Sequence, residues 1–272
     1  MTRRRNMLIT GASRGFGLAL ARHYLYGGWN VCVVARDKKV LKESIYKCTA
    51  SAAQDIIIEK LNVSKEKDIK KLAKKIKKEW GHLDVLINNA GVYGPKGGIE
   101  DVNFDEWTEA IQINLMGTVM MCREFLPLLR KAEHPKIINL SGGGATSPLP
   151  RLSAYAVSKA AVVRFTETLA KEEPTMDINA VAPGAMNTRL LDEIIEAGPE
   201  KVGQEFYDKS LKQKKEGGTD MSKGVALCDY LASDLSNGLS GKLISAVWDK
   251  YPFKKVEKLS NSDMYTLRRV DK

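Results

Sequence analysis

The sequence predicts an α/β fold, a doubly wound sheet of about seven parallel strands with helices on both faces. Short, nearly unbroken apolar runs recur along the chain, such as Met7-Leu8-Ile9, Val31-Cys32-Val33-Val34-Ala35 and Ile137-Ile138. Strands buried on both faces read this way, because each face is covered by helices. Between these runs lie segments with apolar residues three and four apart, for example Ile69, Leu72, Ala73, Ile76 and Trp80, the period of an amphipathic helix. No Pro/Gly/Ser-rich linker and no internal repeat breaks the alternation, so residues 1–249 read as one domain followed by a tail, 250–272.

The elements follow in order. Met7–Thr10 is a strand, followed by a glycine turn and a helix from about Gly15 to Gly28. Val31–Ala35 is the second strand, residues near 38–50 a helix, and Ile56-Ile57-Ile58 opens the third strand. A helix covers Lys65 to Trp80, and Leu83–Ile87 is the fourth strand. A long helical region covers about 105–131, with Pro127 expected to kink or end it. Lys136–Leu140 is the fifth strand, Ser153–Glu172 a helix with Pro174 just past its end, and Asp177–Val181 the sixth strand. Residues of about 186–217 read as polar, irregular helix and loop. Thr219-Asp220 caps a helix to about Ser233, and Gly241–Val247 is the seventh strand.

With 272 residues and 43% hydrophobic content, the chain has enough apolar mass for a substantial core. No stretch approaches the roughly 20 apolar residues of a membrane span. The basic start, Thr2-Arg3-Arg4-Arg5, runs straight into a short strand with no apolar h-region, so no signal peptide is expected and the cytoplasm is the default location. Cys32, Cys48, Cys122 and Cys228 are widely spaced, form no CxxC pair and have no nearby His, which argues for reduced thiols and no metal. The net charge of +10 is concentrated in the helix from Lys65 to Trp80, which carries eight lysines. Its apolar stripe and the absence of interleaved aromatics make this a solvated face; no nucleic-acid partner is expected. The positive field also favours anionic small molecules.

Thr10-Gly11-Ala12-Ser13-Arg14-Gly15-Phe16-Gly17 lies between the first strand and the first helix. Glycines there permit a tight turn and close approach of a pyrophosphate to the backbone. The helix start adds free N–H groups and the positive end of its dipole. This is a Rossmann-type dinucleotide site, with spacing G-x-x-x-G-x-G instead of G-x-G-x-x-G. Further pieces follow in order: Asn88-Asn89-Ala90-Gly91 after the fourth strand, Asn114, Tyr155-x-x-x-Lys159, and Pro183-Gly184 after the sixth. Across residues 6–248 the chain resembles the short-chain dehydrogenase/reductase family. The resemblance implies an NAD(P)-dependent oxidoreductase that interconverts alcohols and carbonyls. The alternatives are a non-catalytic dinucleotide-binding sensor or scaffold and, more distantly, a nucleotide-sugar epimerase or dehydratase. Intact Tyr155, Lys159 and Asn114 speak for an enzyme.

Charge at the adenosine end points to NADP(H) over NAD(H). Acidic residues that hold an adenosine ribose stand at the end of the second strand in NAD-binding relatives. Here Ala35 stands there, followed by Arg36, and Arg14 and Arg36 are placed to clamp a 2′-phosphate. Asp37 is expected to point away; a shift of one residue in the alignment would reverse the preference. Ser13, Gly15, Phe16 and Gly17 complete the turn. The resemblance further implies that the acceptor oxygen of Asn62, beside Val63, holds the adenine amino group, that Asn88, Asn89, Ala90 and Gly91 line the central part of the cofactor, that Pro183, Gly184 and Thr188 stand at its nicotinamide or pyrophosphate region, and that Met186 approaches the carboxamide through its backbone.

Tyr155 and Lys159 are four apart on a helix and therefore share a face. A nearby ammonium and a positive pyridinium favour the phenolate, so Tyr155 is the expected proton donor or acceptor in hydride transfer. The resemblance gives Lys159 the nicotinamide ribose as well and Asn114 a relay water. The family's catalytic serine normally lies 13 residues before the tyrosine, which here is Gly142. Three readings stay open: Ser141 reaches the substrate oxygen, Thr146 or Ser147 substitutes, or the role is lost. Losing one such donor costs about 3–4 kcal/mol of transition-state stabilisation.

Residues 186–218 form the expected substrate lid, and their mixed charge favours a polar or anionic small-molecule substrate such as a sugar derivative or a 3-oxoacyl compound. The resemblance implies a homodimer or homotetramer paired through residues 105–131 and 153–172. The tail, with Tyr251, Phe253, Tyr265 and Leu267, is expected to dock on a neighbouring subunit or to fray.

Overall fold

The computed structural model describes residues 4–47 and 54–269. Within them, β1 (Asn6–Thr10), β2 (Asn30–Ala35), β3 (Ile56–Lys60), β4 (Val85–Asn88), β5 (Lys136–Leu140), β6 (Asp177–Ala182) and β7 (Leu243–Ser245) form one parallel sheet in the order β3-β2-β1-β4-β5-β6-β7. Every residue of β1, β4 and β5 is buried, which accounts for the unbroken apolar runs in the sequence. β3, at the sheet edge, is only partly buried.

Alternating side chains serve the two faces. Met7, Ile9, Val31 and Val33 pack under α1 (Gly15–Tyr26) and α2 (Lys38–Tyr46). Leu8, Cys32 and Leu86 pack under α3 (Glu66–Glu79), whose Ile69, Leu72 and Ile76 face inward. The lysines of α3 lie on the opposite face, where Lys70 pairs with Glu66 at 2.7 Å and Lys75 with Glu59 at 2.7 Å. The chain order reverses where β1 meets β4, which opens a crevice at the carboxyl ends of the strands.

The fourth strand starts at Val85, later than expected; just before it the Asp84 carboxylate accepts the Asn6 N–H at 2.6 Å. The long helical region is broken into α4 (Phe104–Ile111), a π-helical segment (Gln112–Met116) and α5 (Gly117–Leu129). Pro127 neither starts the break nor ends the helix; it sits inside the last turn of α5. After α6 (Ser153–Glu172), the expected irregular segment is three helices, α7 (Arg189–Ala197), α8 (Pro199–Val202) and α9 (Gln204–Glu216). The Asp220 carboxylate caps α10 (Met221–Ala232) by accepting the Ser222 N–H at 2.8 Å. β7 is shorter than expected. Cys32, Cys122 and Cys228 are buried and unbonded; Cys48 and the expected end of the second helix lie outside the described residues.

The tail packs on its own chain instead of standing free. It carries α11 (Val256–Ser260), Phe253 and Tyr265 join the cluster beneath α10, and Leu243 N donates to Tyr265 O at 2.8 Å, covering the β7 edge. Glu167 on α6 accepts the Leu267 N–H at 2.6 Å and pairs with Arg268 at 3.2 Å.

At the start of β5, Lys136 is fully buried, with Nζ 2.5 Å from Asp177 Oδ2 and 2.6 Å from Asn237 Oδ1. Removing one partner of such a pair leaves a charge without compensation. Asp177→Ala is therefore expected to destabilise the protein by about 3–5 kcal/mol in urea unfolding, and Lys136→Met by clearly less.

Candidate active site

The glycine turn is pinned from beneath by Thr10. Its Oγ1 accepts the N–H groups of Asn89 at 2.9 Å and Ala90 at 3.0 Å, while Asn89 Nδ2 donates to Thr10 O at 2.9 Å and Gly11 O at 3.2 Å. This brings the ends of β1 and β4 together. Gly11 needs its φ of +67°, and a Cβ on Gly17 would lie 2.4 Å from both Gly11 O and Asn89 Nδ2. No side chain caps the start of α1, so its first amides stay free for an anion.

A cleft of about 360 Å³ runs over this turn. Of the expected cofactor residues, Gly11, Ser13, Arg14, Gly15, Phe16, Gly17, Arg36, Asn62, Val63, Asn89, Ala90, Gly91 and Thr188 line it. Ala35 ends β2 as expected. Arg14 and Arg36 make no ion pair among the described residues and stand at the cleft, so the basic groups there are uncommitted. Asp37 also borders the cleft, but its carboxylate is turned to cap α2, accepting from Lys39 N at 2.9 Å and Val40 N at 3.1 Å.

Two expectations need correction. Asn88 does not line the cleft: it is turned into the core, where Nδ2 donates to Asn139 Oδ1 at 2.9 Å and to Cys122 Sγ at 3.3 Å. The Asn62 oxygen is not free for adenine, since it accepts both the N–H and the hydroxyl of Ser64, at 3.1 and 2.8 Å; its Nδ2 is the group left. Pro183 and Gly184 lie outside the part of the cleft that runs over the glycine turn; Gly184 takes φ +100°, and a Cβ there would strike Thr219 and Val247. The Met186 side chain is buried in the core, its Cε 2.8 Å from the place a Cβ on Gly224 would take.

Tyr155 and Lys159 sit on the inner face of α6, both buried. Lys159 Nζ donates to Leu140 O at 2.8 Å and lies 3.5 Å from the place a Cβ on Gly91 would take, so it borders the cleft. Burial without a counter-ion pushes its ammonium down to about 8. Burial, and then the neighbouring Tyr93, pushes the Tyr155 phenol well above its usual range. The expected lowering by Lys159 is thus outweighed in the free protein, where no pyridinium charge is present and desolvation dominates.

Asn114 lies in the π-helical segment, a geometry that often marks functional sites. Its Oδ1 accepts the Val92 N–H at 2.8 Å, and its Nδ2 donates to Val92 O at 2.8 Å and Ser158 Oγ at 2.9 Å. Both amide hydrogens are therefore spent on holding the Gly91 loop against α6, which leaves one lone pair on Oδ1 for a relay water. Ser141 Oγ, at the end of β5, is sealed and has no hydrogen-bond partner among the described residues; Thr146 and Ser147 are exposed. Gly142 abuts the phenol: a Cβ there would lie 2.2 Å from Tyr155 Oη.

Three participants escaped the sequence reading. Thr10 and Ser158 act through hydroxyls that only the tertiary contacts reveal. Tyr93 stands edge-on to Tyr155 with ring centroids 4.6 Å apart; an aromatic two residues past Gly91 was the available signal. The lid also differs from expectation. Some of its charges pair with each other at the surface, as in Lys214–Asp192 at 2.6 Å and Arg189–Glu196 at 3.2 Å, while Arg189 and Glu193 also line the cleft, with Glu193 3.6 Å from Lys96. Its inner side offers Ile194, Val202, Phe206 and Tyr207 to Tyr155, Tyr93 and Leu152.

Fold and site together define an NAD(P)-dependent oxidoreductase acting on alcohol and carbonyl groups. The chain belongs to the short-chain dehydrogenase family, whose model matches residues 5–198. It is 30% identical over 248 residues to the short chain dehydrogenase andI of Emericella variicolor, covering 89% of this chain and 80% of that one. It is 33% identical over 204 residues to 11-beta-hydroxysteroid dehydrogenase A of Sesamum indicum, covering 74% of this chain but only 58% of that one. The solved RhlG/NADP active-site complex of Pseudomonas aeruginosa superposes with a TM-score of 0.76 at 27% identity, covering 89% of this chain and 94% of that one.

Gly17→Ala is expected to abolish binding of the nicotinamide dinucleotide, read by quenching of tryptophan fluorescence, with the fold intact. Gly142→Ala must displace the Tyr155 hydroxyl, and a misplacement of about 1 Å lowers turnover on the order of 100-fold; steady-state kinetics and unchanged dinucleotide affinity check it.

Proposed function

We propose that the protein is an NADP(H)-dependent carbonyl reductase that acts on ketones with an apolar or aromatic body. The uncommitted Arg14 and Arg36 at the cleft, with the Asp37 carboxylate turned onto α2, carry the cofactor choice. The apolar wall of Tyr93, Leu152, Ile194, Val202 and Phe206 beside Tyr155 supports the substrate class.

The cleft suits a dinucleotide: a glycine cradle closed to any Cβ, free amides at the start of α1, and two guanidiniums at the adenosine end. When bound, the nicotinamide supplies the hydride in reduction. Tyr155, neutral in its buried setting, gives its proton to the substrate oxygen as charge develops there. Lys159, with its ammonium bordering the Gly91 loop, is placed to hold the ribose hydroxyls and to stabilise the phenolate left behind. Asn114 and Ser158 keep that loop and α6 at fixed separation, and the lid excludes water. Pairing of subunits through α4 to α6 is supported by exposed Phe104, Met116 and Val157.

The test is a panel of benzil, acetophenone, ethyl acetoacetate and glyceraldehyde, followed by NADPH oxidation with NADH in parallel. Benzil and acetophenone are expected to be reduced fastest and with NADPH; faster glyceraldehyde turnover contradicts the substrate class, and a preference for NADH contradicts the arginine clamp. Arg36→Ala is expected to weaken NADPH about 10–100-fold and leave NADH unchanged, the worth of a charge-assisted hydrogen bond. Tyr155→Phe is expected to lower kcat by about 10²–10⁴ while NADPH still binds.

The pH dependence follows from Lys159. Its value is lowered by burial, so the ammonium is present below about pH 8 and lost above it. Reduction measured as kcat/KM should therefore be flat at neutral pH and fall above about 8, a limb that Lys159→Arg removes.

A further inference from the structure

In reduction, the carbonyl carbon gains the hydride, the π pair moves onto oxygen, and that oxygen takes the Tyr155 proton, which solvent restores. The oxygen needs a second donor while its charge develops. The side chains considered for this role do not supply one. Residue 142 is glycine and has none, and a Cβ there would lie 2.2 Å from Tyr155 Oη. Ser141 Oγ is sealed from solvent, and Thr146 and Ser147 lie at the exposed surface.

The backbone does. Ser141 N donates to Val181 O at 2.8 Å, so the peptide groups of residue 141 face β6. Successive residues of a strand direct their peptide groups to alternate sides, so that of Leu140, the last residue of β5, faces the β4 side, and Gly142 follows just past the strand's end. Leu140 O confirms this direction by accepting Lys159 Nζ at 2.8 Å. β4 has ended at Asn88, so no strand carbonyl is left there to take the Gly142 N–H. The amides of Gly142, Gly143 and Gly144 all lack an acceptor among the described residues; the bond that closes the turn runs from Ala145 N to Gly142 O at 3.3 Å. Gly144 takes φ +86° at the third position, as a type II turn requires. A Cβ on Gly143 would meet nothing within 4 Å, so the turn opens onto free space beside the phenol.

We propose, resting on the reductase reading above, that the N–H groups of Gly142 and Gly143 bind and polarise the substrate oxygen in place of the absent serine hydroxyl. Backbone donors of this kind need no rotamer to be ordered and stay in position through the reaction. They also explain a run of glycines at this point: the turn must approach both the Tyr155 hydroxyl and the substrate.

The experiment uses the full chain with NADPH and the panel carbonyl that the wild type reduces fastest. Gly143→Pro and Gly143→Ala both fill the open space, and only the proline removes an N–H. Glycolic acid incorporated at position 142 turns that amide into an ester without adding an atom, and it serves if the proline variant fails to fold. The ester and Gly143→Pro are expected to lower kcat about 100-fold each, with Gly143→Ala, which keeps the N–H, lowered at least roughly tenfold less than Gly143→Pro, while Ser141→Ala stays within about threefold and NADPH affinity is unchanged. Retained kcat in the variants lacking an N–H overturns the proposal, as does a parallel loss of NADPH affinity or an equal loss in Ser141→Ala. A wild type that reduces none of the carbonyls overturns the reductase reading, and this assignment with it.

Discussion

Desolvation of the Tyr155 phenol governs the site. The side chain is 8% exposed, enclosed by Tyr93, Leu152 and the inner side of the lid. Removing water from a phenol disfavours its anion, so the free protein holds a proton ready to give. The hydroxyl stands 2.2 Å from the place a Cβ on Gly142 would take, so the glycine lets the phenol approach the end of β5 this closely.

That arrangement is held from outside by polar contacts that are individually modest. Asn114 fastens the Gly91 loop to α6 through Val92 and Ser158, and Thr10 fastens the glycine turn to the end of β4. Each buried hydrogen bond contributes about 1 kcal/mol to stability, but a stranded partner costs more. Their effect lies mainly in geometry: the cofactor cleft and the phenol belong to different strand ends, and these bonds set the distance between them. Lys159 joins the two, reaching Leu140 O from α6 while bordering Gly91. Its ammonium is buried without a carboxylate partner, an arrangement suited to ligand hydroxyls and a developing phenolate.

Much of this was legible in the sequence because it depends on local pattern. Strand runs, the glycine turn, Ala35 at the end of β2 and the full span of α6 from Ser153 to Glu172 all follow from period, spacing and capping residues. What stayed hidden depends on which partner a polar atom finds. The Asn62 oxygen chose Ser64, two residues away, and Asn88 chose the core over the cleft. The π-helical segment follows from no propensity rule; it coincides with the stretch where Asn114 reaches across to Val92. Composition could not sort the lid's side chains by direction: Lys214 and Asp192 pair outside, Arg189 and Glu193 border the cleft, and Ile194 and Phe206 face the phenol.

The most direct test of the account is the ionisation of Tyr155 itself, read as the difference in tyrosinate ultraviolet absorbance between the wild type and Tyr155→Phe across a pH titration, with and without NADP⁺. Desolvation as the governing term predicts no phenolate from Tyr155 in the free protein at neutral or mildly alkaline pH, and its appearance near neutral pH once the positive ring is bound. A Tyr155 that ionises below its ordinary value in the free protein, or one that the bound cofactor leaves unchanged, contradicts it.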